Sequence, residues 1–191
     1  MTTTVDRQAR ILAFSGPIGA GKSTLSRALA DRLGWKRASF GSYVRAEAFR
    51  RGLPDTRTTL QGMAVKLVAG IGWETFCHAV LDHAGWAPGE PLLVDGIRHE
   101  EALRALRRIV APSEVALLCL RADLEVRKAR LRAIGVEYAD SLETVEQHST
   151  ELQVLIKLPA FADLVLDGAL PVNELVNEVT AWMSACQPRM R

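Results

Sequence analysis

Gly16-Pro17-Ile18-Gly19-Ala20-Gly21-Lys22-Ser23 is the stretch whose reading decides the fold. It satisfies the spacing G-x-x-x-x-G-K-[ST], and its surroundings are those the spacing requires. A short apolar run at residues 11–15 (ILAFS) precedes it and predicts a buried strand. Residues 22–33 follow it with Leu25, Ala28, Leu29 and Leu33 at helical spacing, and Gly34 predicts the stop. Glycines at 16, 19 and 21 allow backbone conformations that side chains resist, so successive N–H groups turn towards one point. The helix start behind them adds partial positive charge. The expected product is a cradle for the phosphates of a nucleoside triphosphate, built from Gly16, Gly19, Ala20, Gly21, Lys22, Ser23 and the following Thr24. In it Lys22 sets an ammonium on the β- and γ-phosphates, and the Ser23 hydroxyl takes a Mg²⁺ position.

Outward from the cradle, strands and helices alternate. Short apolar runs at 36–40, 91–95, 114–120 and 162–166 predict four further strands, with 114–120 (EVALLCL), the most apolar, as a central one. Helices are expected over 42–51, 57–69, 73–84, 99–109, 123–133, 142–156 and 172–185, with Gly70 and Gly72 separating the second from the third. Short strands apolar on both faces, with helices between them, predict a three-layer α/β fold around a parallel sheet. The chain reads as one domain, with residues 42–86 inserted as helices that serve either as a substrate-holding subdomain or as extra helical cladding.

A nucleotide cradle of this kind needs a second acid for its metal. PLLVD places Asp95 at the carboxyl end of a strand, where ligands collect in open α/β sheets. Arg98 follows by three residues, and Arg45 sits one helical turn beyond Gly41. Two guanidinium forks at one cleft suit an anionic acceptor. Arg127, Arg130 and Arg132 share the helix after the fourth strand, and spacing alone does not choose which of them serves the transferred phosphoryl.

Composition removes several classes. The 191 residues, 48% hydrophobic and 24% charged, suffice for a core, and a net charge of +2 with interspersed signs argues against a nucleic-acid binder. The first apolar run is too short for a signal peptide or membrane span, so a cytoplasmic protein is expected. Cys77, Cys119 and Cys186 form no CxxC grouping and predict reduced thiols. His78 and His83 are five apart and cannot form a zinc pair on one helix face. His99 is a candidate for the cleft rim, and His148 with Glu143, Glu146 and Glu151 predicts an exposed polar face. Trp35, Trp73, Trp86 and Trp182 are scattered and read as core or rim packing.

With GPIGAGKS, SFGSYVR and DGIR in view, the chain resembles the adenylate kinase-like P-loop nucleotide kinases over about residues 10–183. Among them it resembles archaeal and bacterial kinase-like proteins related to dephospho-CoA kinase. The resemblance implies a P-loop NTPase fold with a five-stranded parallel sheet of order 2-3-1-4-5 and helices on both faces. GSYVR at 41–45 resembles the Gly-Asp-x-x-Arg segment that opens the acceptor-binding helices, which implies that Gly41, Ser42 and Arg45 face the acceptor. DGIR at 95–98 is similar to the family's Asp-Gly-x-Arg, which implies Asp95 for Mg²⁺ and Arg98 for the acceptor phosphate. ADLEVRKARLR resembles the lid-entry helix of a short lid at about 131–141 and implies Arg130 as the arginine nearest the reacting phosphoryl. Two positions depart: the family's Asp is Ser42, and a second lid arginine is Ile134, for which Arg132 is the substitute on offer.

The expectation is therefore an ATP- and Mg²⁺-dependent phosphotransferase, monomeric or dimeric, with Lys22, Asp95 and Arg130 as its catalytic groups and a small anionic acceptor. A hydroxyl acceptor profits from a carboxylate that takes its proton, so Ser42 favours a nucleoside or deoxynucleoside monophosphate. Phosphorylation of a hydroxyl, as in dephospho-CoA kinase, is one alternative, and a nucleotide-dependent switch or regulatory ATPase is another. A chain that binds nucleotide without catalysis is the third.

Overall fold

In the computed structural model, which describes residues 10–146 and 153–185, the run before the glycines is strand β1 (Arg10–Ser15). Ile11, Leu12, Ala13 and Phe14 are all fully buried, as a strand covered on both faces requires. The partners are β2 (Lys36–Ser39), β3 (Leu92–Asp95), β4 (Glu114–Arg121) and β5 (Leu164–Asp167). Every pairing is parallel and the order is β2-β3-β1-β4-β5, the order implied by the resemblance. The expected central strand, β4, is interior, but β1 takes the middle. Apolarity reports cover on both faces and does not rank strands that share it.

Alternation along β1 divides the core. Ile11 and Ala13 face a cluster that includes Tyr43, Phe76 and Leu103, whereas Leu12 and Phe14 face Leu25, Leu29 and Val179. Helix α1 (Lys22–Leu33) and the closing helix thus cover one face, and α2 (Phe40–Arg50), α3 (Arg57–His83) and α4 (Glu100–Ile109) the other. Leu25 and Leu29 are wholly buried; each such side chain contributes about 1.5–3 kcal/mol. Gly34, at φ 66°, ends α1 by donating its N–H to the Ala30 carbonyl at 2.9 Å.

Two boundaries differ from expectation for local reasons. Phe40 begins α2 instead of ending β2, because the Ser39 hydroxyl accepts the Ser42 N–H at 3.3 Å and caps the helix there. The two helices expected over 57–69 and 73–84 meet end to end in α3 at a kink where Gly72 leaves helical geometry, at φ 74° and ψ 165°, so they are separated as expected, with the first running on past Gly70 to Ile71. Its 27 residues satisfy the length and composition of a membrane span, yet Met63, Leu67, Phe76, Cys77, Val80 and Leu81 are buried against the core.

After α5 (Leu124–Ala133) come a short turn at Ala139–Ser141, α6 (Leu142–Glu146), a π turn at Gln153–Lys157, a 3₁₀ turn at Leu158–Phe161, and, beyond β5, α7 (Val172–Ala185). Of the helix expected over 142–156 the described part comprises α6 and the π turn; residues 147–152, with His148 and Glu151, and Cys186 lie outside the described residues. Glu146 corrects the expected polar face: it is buried.

Cys77 and Cys119 are buried thiols, and burial pushes them up to about 12 and about 11. The folded chain keeps these protons where the unfolded chain releases them, so both groups favour folding fully below the ordinary thiol value of 9.0 and progressively less above it. Urea midpoints followed from about pH 7.5 to about pH 10.5 are expected to fall on the alkaline side, with a shallower fall in Cys77→Ala.

Candidate active site

The sheet order sets the acid beside the glycines. Phe14 and Ser39 both stand level with Asp95 in register, so the carboxylate closes β3 one residue short of where β1 turns into the loop. Strand order reverses across β1, and the crevice at the carboxyl ends of its neighbours is where such sheets bind ligands. Ser23 Oγ donates to Asp95 Oδ2 at 2.7 Å, so the two residues expected to hold the metal already touch.

The loop itself has the backbone that its glycines permit. Gly16, Gly19 and Gly21 lie at φ 144°, 78° and 97°, and a Cβ on Gly16 would collide with the Leu120 carbonyl oxygen of β4. Lys22 is buried, and its Nζ donates to the Pro17 carbonyl at 2.8 Å, across the loop. Ala20 is buried within the loop, and Thr24 is exposed on α1. The segment after β5 runs against the cradle from outside: a Cβ on Gly168 would stand 2.5 Å from the Ala20 carbonyl oxygen.

The three arginines of α5 have three different tasks. Arg130 Nη1 donates to the Gly168 carbonyl at 2.6 Å and lies 3.8 Å from where a Gly21 Cβ would stand, which sets it beside the last turn of the cradle. Arg127 is buried; it donates to the Ala122 carbonyl at 3.0 Å and the Ile18 carbonyl at 3.2 Å, and meets Glu146 with both terminal nitrogens at 2.5 and 3.1 Å. It braces the loop. Arg132 pairs with the exposed Asp140 at 2.6 Å, and Ile134 is 75% exposed.

On the acceptor side, Gly41 and Ser42 are exposed at the start of α2, and Arg45 is exposed with its Nε 3.4 Å from Asp55 Oδ1. Arg98 is half-buried on the turn after β3, which Gly96 and Ile97 bind to the Phe14 carbonyl at 3.2 and 3.0 Å. The two guanidinium groups therefore follow adjacent strands, β2 and β3. His99 stands at the entry to α4 with its ring 4.8 Å from that of Trp73, which also meets Phe76 edge-on at 6.2 Å. Trp73 is thus packed as rim and core. His83 lies against Tyr43 at 5.7 Å and His78 is exposed.

One residue at the centre escaped the sequence reading. Arg37, on β2, forms an ion pair with Asp95 Oδ2, the oxygen that Ser23 also occupies, and its Nε donates to Ser26 Oγ at 2.7 Å. Ser26 in turn donates to the Ser23 carbonyl at 3.3 Å, which closes a ring through the first turn of α1. Among the described residues no donor reaches the buried Asp95 Oδ1. A buried carboxylate oxygen left bare is costly unless a ligand serves it. Two hard oxygen donors, Ser23 and Asp95, suit Mg²⁺, which completes its shell with water and phosphate oxygens. Among the described residues no cluster of three His, Cys, Asp or Glu side chains offers another metal site.

A family model described as an AAA domain matches residues 12–151. A UPF0200 protein of Pyrobaculum aerophilum is 35% identical over 125 residues, which span 65% of this chain and 66% of that protein. A cytidylate kinase of Geobacter sulfurreducens is 42% identical over 113 residues, 57% of this chain and 46% of that enzyme. The match thus spans just under two thirds of the first relative and about half of the second. A gluconokinase structure from Sinorhizobium meliloti superposes with a TM-score of 0.59 at 19% identity, covering 94% of each chain, and shows a common fold. By this match, its phosphate loop, its acid and its strand order, the chain belongs to the P-loop nucleotide kinases.

Proposed function

We propose that the chain transfers the γ-phosphoryl of Mg²⁺-ATP to a small anionic acceptor, a nucleoside or deoxynucleoside monophosphate. The loop amides of 16–23 and the Lys22 ammonium hold the triphosphate. Ser23 and Asp95 hold Mg²⁺, which when bound offsets charge on the phosphate oxygens. Arg130 stabilises charge on the group in transfer, and Arg45 and Arg98 grip the acceptor. Phosphoryl transfer needs little covalent help from the protein, so positioning and electrostatics carry the rate.

The observation that carries the acceptor class is the state of the carboxylates. Position 42 offers a serine, and Asp95, the acid at the cradle, already has one oxygen engaged by Ser23 and Arg37. A hydroxyl acceptor would need a base, whereas an acceptor phosphate arrives as an anion and needs cations, which Arg45 and Arg98 supply. The relative from Geobacter sulfurreducens is by name a kinase of cytidylate, which supports the same class.

We read the whole chain as one domain, with residues 42–86 closing over the acceptor and the short lid at 131–141 closing over the phosphates. The Arg57 guanidinium, at the start of α3, lies 5.2 Å from the Tyr138 ring centroid and supports this reading by joining the two segments. Closure excludes water and spares ATP from hydrolysis.

Phosphorus NMR of the protein with Mg²⁺-ATP and each monophosphate in turn tests the assignment. A new phosphoanhydride signal is expected with at least one of them. A new phosphomonoester on dephospho-CoA would transfer the assignment to a hydroxyl acceptor, and ADP with free phosphate alone would make the chain an ATPase.

A further inference from the structure

We infer that Arg37 is a built-in counter-ion that keeps free divalent cations off the Ser23–Asp95 site until a nucleotide occupies the cradle. The inference rests on the assignment of Ser23 and Asp95 to the metal, and adds a residue that neither the motifs nor the relatives assign. Its basis is the ring of contacts around one carboxylate. Asp95 is buried; its Oδ2 accepts the Ser23 hydroxyl and pairs with Arg37, whose side chain is itself only 19% exposed. The guanidinium is held in place from behind, because its Nε donates to Ser26 Oγ at 2.7 Å. β2 sets this up through register: Arg37 stands level with Leu93, whose side chain packs in the α1 layer, so the arginine meets Ser26 of α1.

The charge balance gives the sign. A carboxylate paired with an adjacent cation is close to neutral, so a divalent ion arriving alone finds one bare oxygen, Oδ1, and a like charge beside it. A triphosphate in the cradle supplies the missing anionic oxygens, and the metal then enters as part of a metal–nucleotide complex. Replacing Arg37 by glutamine removes the competing cation and leaves a buried carboxylate without its charge partner, which a metal ion then satisfies. Arg37 acts here through Asp95 and is a positioning residue with a defined electrostatic sign.

The test is Mn²⁺ titration of the nucleotide-free protein, followed by electron paramagnetic resonance and by melting temperature. Wild type is expected to bind Mn²⁺ weakly. Arg37→Gln is expected to bind at least about tenfold more tightly and to regain on Mn²⁺ addition much of the stability it loses. Arg37→Lys keeps the charge and is expected to behave as wild type, and adding Asp95→Asn to Arg37→Gln is expected to abolish the gain. Should Arg37→Gln fail to fold, Ser26→Ala loosens the guanidinium without removing it and is expected to raise Mn²⁺ affinity by a smaller factor. Tight Mn²⁺ binding by wild type, or no gain in the variants, overturns the inference. ATP binding and transfer by wild type, measured separately, decide the kinase assignment, so loss of one does not imply loss of the other.

Discussion

Lys22→Ala is expected to lower phosphoryl transfer by at least about a hundredfold while the chain stays folded. The side chain is buried and donates to a neighbour in the same loop, the Pro17 carbonyl at 2.8 Å. Losing a hydrogen bond of this kind costs about 0.5–1.5 kcal/mol, and a buried charge leaves with it, so the melting temperature moves little. The cost to catalysis is larger because the ammonium opposes charge that accumulates on the β–γ bridge as it breaks, where no water can replace it. An interaction made chiefly in the transition state lowers kcat and kcat/KM together. Lys22→Arg is expected not to rescue, because a planar guanidinium fork does not fit a pocket that holds a compact ammonium at 8% exposure. Steady-state kinetics with the acceptor found by phosphorus NMR, alongside circular dichroism, checks both halves. A loss below tenfold would remove Lys22 from the reaction.

What the sequence disclosed and what it withheld divide along physical lines. Residues 10–34 were readable because strand, glycines, lysine and helix obey local rules: backbone freedom at Gly16, helical spacing of Leu25 and Leu29, and a left-handed stop at Gly34. Asp95 was readable because the end of an apolar strand is a local signal too. Sheet order came from the resemblance, since no local rule pairs β1 with β3 across nearly eighty residues. Arg37 was not singled out because its importance depends on the equally non-local pairing of β2 with β3; within KRAS it is one basic residue among twenty-four Lys and Arg in the chain. The one available clue was the strand period, which turns Arg37 and Ser39 to the same face of β2. Arg127 and Glu146 show the same limit at nineteen residues' separation: Arg127 read as one of three candidates for the phosphoryl and Glu146 as part of an exposed polar face, and the two are buried together.

That buried pair carries the second large effect. Arg127→Met is expected to destabilise the chain by about 3–5 kcal/mol, because Glu146 stays behind as an unpaired buried charge and the Ile18 and Ala122 carbonyls lose their donor. For a chain of this size that corresponds to a fall of roughly 6–20 °C in melting temperature. The neighbouring Lys128–Glu143 contact at 2.5 Å links the same two helices, but Glu143 is half exposed, and solvent screens such a pair. Pairing Arg127→Met with Glu146→Leu should restore most of the stability, since apolar replacement of a complete buried ion pair is often neutral or favourable. Nucleotide affinity should not return with it. The Ile18 carbonyl belongs to the phosphate loop, a Cβ on Gly19 would stand 3.1 Å from the Arg127 carbonyl oxygen, and neither methionine nor leucine can donate to the Ile18 carbonyl. A double variant that melts like wild type yet binds ATP several-fold more weakly would separate the two roles of the brace; one that recovers both would reduce Arg127 to a core residue, with no part in shaping the loop.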